Sequence, residues 1–454
     1  MKINLPTAAF LLILISIVTA SAQTKSSPKS DGEIRAMVAE VSATRIESDI
    51  RKLVSFGTRN TNSSTTDPTR GIGAARDWIF SEFQKISAQC GGCMTVDKQS
   101  YIQQKASRVP VPIELTNVVA TLKGKSDPSR VYVVSGHYDS MCSNPSDATC
   151  DAPGANDDAS GTAAVIELAR VMSKRNFDAT IVFMTVAGEE QGLLGAGYFA
   201  EQALQTRLDI EAMFTNDIIG GVTSFKNATN RQTVRVFAEG VPTNESAQEA
   251  NLRRSTGGEN DSPARQLGRF IKETADIYSP KFKVMLVYRR DRYLRGGDHI
   301  PFLERGYAAV RFSETNEDYD HQHQNVRTEN GKFYGDTPEF VDFSYVANVA
   351  RINAAALARL ALAPARPKNA VMVTTRLGND TELKWDASTA EDIAGYEIVW
   401  RDTVEAFWTN SKFVGNVTSF VMSDMSKDNW FFGIRAIDKL GNKSQVSYPK
   451  PSGR

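Results

Sequence analysis

From about residue 111 the sequence alternates short, largely apolar runs with stretches of helical spacing. Val131 to Val134, Ile181 to Ala187, Met213 to Phe214 and Ala308 to Phe312 read as buried strands, with a helix from Ala163 to Met172 between the first two. Strands apolar on both faces must be covered on both faces, and strands separated by helices are joined by crossovers. The pattern therefore predicts an α/β fold: a mainly parallel mixed sheet sandwiched by helices. Upstream, Glu33 to Val54 shows apolar residues every three or four positions, as does Gly73 to Ile86, and both read as amphipathic helices. Pro338 is expected to open a long final helix reaching about Leu362.

The pattern changes after that helix. Pro364-Ala365-Arg366-Pro367-Lys368 reads as a linker, and beyond it Leu383 to Trp385, Tyr396 to Trp400 and Trp430 to Ala436 alternate with period two. With Trp385, Tyr396, Arg435-Ala436-Ile437-Asp438 and Gly441-Asn442, the segment 369–450 resembles a fibronectin type III domain. The resemblance implies a second, all-β sandwich.

Length and composition narrow the function. The 454 residues suffice for two or three domains. Lys plus Arg and Asp plus Glu both number 53, so the net charge gives no reason to expect nucleic acid or an anionic membrane as partner. Lys2, the apolar run Ala8 to Val18 and the small residues Ala20-Ser21-Ala22 predict a signal peptide over 1–22, followed by a flexible segment over 23–33. That run is short for a bilayer span, which needs about 20 residues. The expectation is a secreted or periplasmic protein without stable membrane insertion. An even number of cysteines suits that compartment, and proximity favours Cys90 with Cys93 and Cys142 with Cys150.

The chemistry sits at the ends of the predicted strands. His137 follows the first strand, Asp157 precedes the helix, Glu189 and Glu190 follow the next strand, and Asp217 follows a third. His321 and His323 come shortly after a fourth, and with His299 these are all the histidines. In a parallel sheet these strand ends share one edge, where open α/β folds place their sites. Crowded carboxylates resist ionisation unless a cation compensates them, and mixed imidazole and carboxylate donors suit zinc. Five ligands exceed the needs of one tetrahedral zinc but suit two if a carboxylate bridges. The remaining glutamate is then free to accept a proton from water.

These residues also bring a family into view. Gly136-His137-Tyr138-Asp139-Ser140, Gly154 to Gly161, Glu189-Glu190-Gln191-Gly192, Asn216-Asp217-Ile218-Ile219-Gly220 and Gly297-Asp298-His299-Ile300-Pro301-Phe302 resemble the ordered blocks of metallopeptidase family twenty-eight, the two-zinc aminopeptidases. The resemblance spans 34–363. It implies that His137 and Asp217 bind one zinc, that Glu190 and a late histidine bind the other, and that Asp157 bridges. It implies further that Glu189 is the general base and that Asp139 orients the His137 ring. For the late histidine His321 is favoured over His323, because the family's ligand follows a Tyr; here Asp320 intervenes after Tyr319. His299 is expected to brace the site.

The reading that results is an exported zinc aminopeptidase with two zinc ions, acting on peptide or protein N-termini. Its rivals are a one-zinc glutaminyl cyclase and a non-catalytic receptor or adhesion protein on the same fold. The run Arg289, Arg290, Arg292 and Arg295 could face substrate and attract a carboxylate, or be a solvated surface. The C-terminal domain could contact a surface or polymer, or serve as a spacer.

Overall fold

The computed structural model describes residues 30–452. The expected signal peptide, and all but the end of the expected flexible segment, lie outside these residues. The helical stretch predicted over Glu33 to Val54 is two helices, α1 (Asp31–Glu40) and α2 (Ala43–Val54). The break falls at Val41-Ser42, where the Ser42 hydroxyl accepts the Arg45 N–H at 3.3 Å and caps α2. Then follow α3 (Ile72–Gln89), β1 (Met94–Gln103), β2 (Ile113–Leu122), β3 (Asp127–His137), α4 (Ala159–Met172), β4 (Ala179–Val186), α5 (Leu194–Gln205) and β5 (Asp209–Asn216). The chain continues through β6 (Thr233–Phe237), α6 (Ala247–Thr256), α7 (Pro263–Tyr278), β7 (Lys283–Val287), α8 (Ile300–Glu304) and β8 (Ala309–Glu314). After the short hairpin β9 (Arg327–Glu329) and β10 (Lys332–Tyr334) comes α9 (Phe343–Leu362). Pro338 opens only a single 3₁₀ turn; α9 itself starts after Asp342, whose carboxylate accepts the Tyr345 N–H at 3.0 Å.

The main sheet has eight strands in the order β1-β2-β4-β3-β5-β8-β6-β7. The inner strands β4, β3, β5 and β8 run parallel, and antiparallel pairing is confined to the margins, at β1–β2, β2–β4 and β8–β6. Helices cover both faces, as both-face burial requires. A large apolar core lies under α1 to α4, α7 and α9, and a smaller one under α5 and α8. Because β3, β4, β5 and β8 are parallel, their C-terminal ends form one edge.

Beyond α9 the chain is all strand: β11 (Val371–Met372), β12 (Thr381–Lys384), β13 (Ile393–Asp402), β14 (Asn410–Gly415), β15 (Ser419–Met422), β16 (Trp430–Asp438) and β17 (Lys450–Pro451). These form two sheets, β15-β12-β11-β17 and β14-β13-β16. Leu383, Trp385, Tyr396, Ile398, Phe432 and Ile434 from both sheets share one apolar core. Disulfides join Cys90 to Cys93 and Cys142 to Cys150, the pairing that proximity favours. No helix among the described residues is long and apolar enough to cross a membrane.

Candidate metal centre

His137 is the last residue of β3 and is wholly buried. Its Nε2 lies 3.1 Å from Asp157 Oδ1 and 3.8 Å from Asp217 Oδ1, so these three donors converge just beyond β3 and β5. A second triad shares Asp157: His323 Nε2 stands 2.8 Å from Asp157 Oδ2 and 3.0 Å from Glu190 Oε1. Asp157 thus faces one histidine with each oxygen, the placement a bridging carboxylate needs.

His321 does not take part. Its ring stacks on Phe340 with centroids 3.4 Å apart, and its Nδ1 sits 3.2 Å from the Gly335 carbonyl. The expectation for the late histidine is therefore corrected: His323 completes the cluster. His323 has a positive φ of 55°, in the left-handed region, and its ring reaches Glu190, which follows β4.

Neighbouring groups hold the donors. Asp158 caps α4 by accepting the Gly161 N–H at 2.8 Å, while its other oxygen accepts the His137 N–H at 3.1 Å. With Asp158 taking the cap, the Asp157 carboxylate meets the two histidines and accepts from Gln322 Nε2 at 2.9 Å. Asp336 accepts the N–H groups of Asn156 and Asp157 at 2.8 and 2.7 Å, fixing the loop from the other side. Asp139 was expected to orient the His137 ring. Its backbone carbonyl is the nearer partner, 3.1 Å from Nδ1, and its carboxylate lies at 3.5 Å. That carboxylate also accepts the N–H of Glu189 at 3.3 Å and of Glu190 at 3.1 Å, so Asp139 ties the histidine to the glutamate turn. Arg59, fully buried, donates to the carbonyls of Tyr138 at 2.7 Å and Gly154 at 2.9 Å and so joins the loops carrying His137 and Asp157.

The donors' chemistry fits a cation. His137 Nε2, Glu190 Oε1 and His323 Nε2 are buried and none makes an acceptable hydrogen bond, and orphaned buried polar atoms call for an explanation. Burial alone would lower both imidazoles, but the facing carboxylates hold His137 and His323 well above the usual histidine range. Burial pushes Glu189 well above the usual range, helped by Asp217, Glu190 and Asp298. Positive charge placed among these groups relieves their mutual repulsion. Two clusters of nitrogen and carboxylate oxygen sharing one aspartate match zinc rather than calcium or magnesium, which prefer oxygen alone.

The profile of peptidase family M28 matches residues 117–332, a span that includes every member of both triads. A "Probable zinc metalloprotease" of Leptosphaeria maculans is 50% identical over 424 residues, covering 93% of this chain and 98% of the relative. A protein of the same description from Pyrenophora tritici-repentis is 50% identical over 423 residues, covering 93% and 87%. The chain belongs to peptidase family M28. It is a zinc metalloprotease of that family, and its fold agrees. The Legionella pneumophila LapA aminopeptidase superposes with a TM-score of 0.52 at 18% identity, covering 78% of this chain and 80% of that one. The structure of LapB from the same organism gives 0.51 at 20%, covering 73% and 75%.

Several positions were not singled out from the sequence. Arg311 sits in the buried strand β8 and places Nη2 3.0 Å from Asp217 Oδ1 and Nη1 3.2 Å from Asp291 Oδ2. A charged residue inside an apolar strand was the available signal. The arginine run after β7 is engaged within the protein. Arg292 and Arg295, with Arg235 of β6, converge on Glu317, Arg290 pairs with Glu304, and Arg289 stacks on Tyr293. His299 is buried, belongs to neither triad, and places Nε2 2.8 Å from the Arg290 carbonyl and 3.6 Å from Asp291 Oδ2.

Proposed function

We propose that this protein is an exported aminopeptidase that holds two zinc ions, one in each triad, and removes residues from peptide N-termini. The observation that carries the reading is the shared Asp157, with one oxygen turned to His137 and the other to His323. When bound, the zinc ions polarise the scissile carbonyl and make water ionisable near neutral pH. His137, Asp217 and Asp157 would hold one ion, and Asp157, Glu190 and His323 the other. Glu189 stands beside both triads without belonging to either. Its carboxylate accepts the proton of the attacking water and later returns it to the leaving amine. Burial raises its proton affinity, which suits the second task. The aminopeptidase fold relative supports exopeptidase action.

The same reading places a signal peptide at 1–22, a peptidase domain at 34–363, a linker at 364–368 and a fibronectin type III-like domain at 369–450. The two facing sheets beyond α9 support the last of these. Zinc per polypeptide, measured together with a panel of aminoacyl-anilides, tests the proposal. Two zinc ions with chelator-sensitive release of the anilide is the expected result. One zinc, no release and cyclisation of an N-terminal glutamine peptide would overturn it.

A further inference from the structure

One face of α7 is lined with polar groups that meet the C-terminal sheets. Ahead of the helix, Asp261 is wholly buried and binds Arg401 of β13 at 2.6 Å. Along the helix, Gln266 accepts the Trp408 indole N–H at 3.1 Å, Arg269 donates to the Ala406 carbonyl at 2.6 Å, and Glu273 lies 3.5 Å from Arg435 of β16. Spacings of three and four residues put these groups on one side, while Leu267, Phe270 and Ile271 face the core of the main sheet. The seam is a built interface: Asp261 also takes Arg269 at 3.0 Å, so one buried carboxylate receives a guanidinium from each side.

From this seam a single stretch of chain leads to the metal centre. Tyr288, just after β7, has its carbonyl bound by Arg265 at 3.1 Å, lies 4.0 Å beneath that guanidinium, and directs its hydroxyl towards the Ala406 carbonyl at 3.5 Å. Nine residues on, Gly297 packs against the pair Asp217 and Arg311 so closely that a Cβ there would stand 3.3 Å from Asp217 Oδ2 and 3.0 Å from Arg311 Nη1. Between the two ends the segment exposes Tyr293 and Leu294.

We infer that the C-terminal sandwich is a positioning domain: through α7 it fixes Tyr288, and with it the 288–297 segment that borders Asp217. Arg401 and Trp408 are its positioning residues. They touch neither the triads nor, on the reading above, the substrate.

Amide hydrogen exchange on the full chain tests this independently of the hydrolytic reading. In Arg401→Met and Trp408→Ala the amides of 288–297 should exchange roughly tenfold faster, with β3 and β5 unchanged. Arg401→Lys, which keeps a cation at Asp261, should recover most of the protection, and Trp408→Phe gives a milder version should Trp408→Ala fail to fold. With an aminoacyl-anilide, KM should rise severalfold while kcat stays within about twofold, an arm that does rest on the proposed function. If the sandwich loosens while 288–297 keeps its protection, the domain is a spacer and the inference fails. It also fails if exchange accelerates equally in β3 and β5, since the effect is then general destabilisation.

Discussion

Arg311 Nη2 lies 3.0 Å from Asp217 Oδ1, and both side chains are buried. A carboxylate proposed as a metal donor is thus already paired with a permanent cation, and Arg311 is itself held by Asp291 on its other side. Breaking a buried pair strands the remaining charge, at a cost of about 3–5 kcal/mol. Arg311→Met should therefore lower the Tm of zinc-free protein strongly. Added zinc should recover part of the loss, because it would supply Asp217 with a new counter-charge. A deficit of the same size with and without zinc would show that Asp217 does not serve the metal.

Glu189→Gln keeps the size of the side chain and removes its ability to take a proton. Turnover should fall by roughly 10²–10⁴ while zinc content and Tm stay near wild type. Near-wild-type kcat with full zinc would remove Glu189 from the mechanism.

The two late histidines separate cleanly. His323→Ala takes away a donor and should weaken zinc at least roughly tenfold in competition with a chelator. His321→Ala loses the Phe340 stack, worth about 1 kcal/mol of stability, and should leave zinc affinity unchanged. The reverse order would return the ligand role to His321.

Glu314, a member of neither triad, offers a test of pH dependence. Burial pushes its carboxyl up to about 8 from an ordinary 4.5, despite hydrogen bonds from Asn156 and Gly221. Between those two values the unfolded chain releases the proton and the folded chain keeps it, so this group subtracts stability as pH rises from about 4.5 towards 8. Glu314→Gln can still accept from Asn156 and Gly221 but cannot ionise. Its Tm should fall less than that of the wild type between pH 5 and 8. Parallel curves would show that Glu314 is already ionised in the folded protein.

Much of the fold was legible because its signals are local. The apolar runs at Val131, Ile181 and Ala308 mark strands that must be covered on both faces, and they became β3, β4 and β8 of the parallel centre. The marginal strands were not foreseen. β1 is partly exposed and mixed in polarity, and β6 and β7 are only five residues each, too short for a periodic signal. The break between α1 and α2 was missed because the apolar spacing runs on across Val41 and Ser42.

The sequence by itself determined which residues stand where parallel strands end, and so brought His137, Asp157, Glu189, Glu190 and Asp217 to one edge. Hydrophobic period and strand order suffice for that, since both follow from near neighbours and from the handedness of crossovers. Only the tertiary structure decided between His321 and His323, two residues apart, through a left-handed turn and an aromatic stack with Phe340. Tertiary structure likewise engaged the arginine run with Glu317, Glu304 and Tyr293, set Arg311 against Asp217, and placed Arg401 on Asp261, 140 positions earlier. The physical reason is the same in each case: charged and aromatic side chains take their partners from whatever the packed chain puts within reach, and no period in the sequence records that choice.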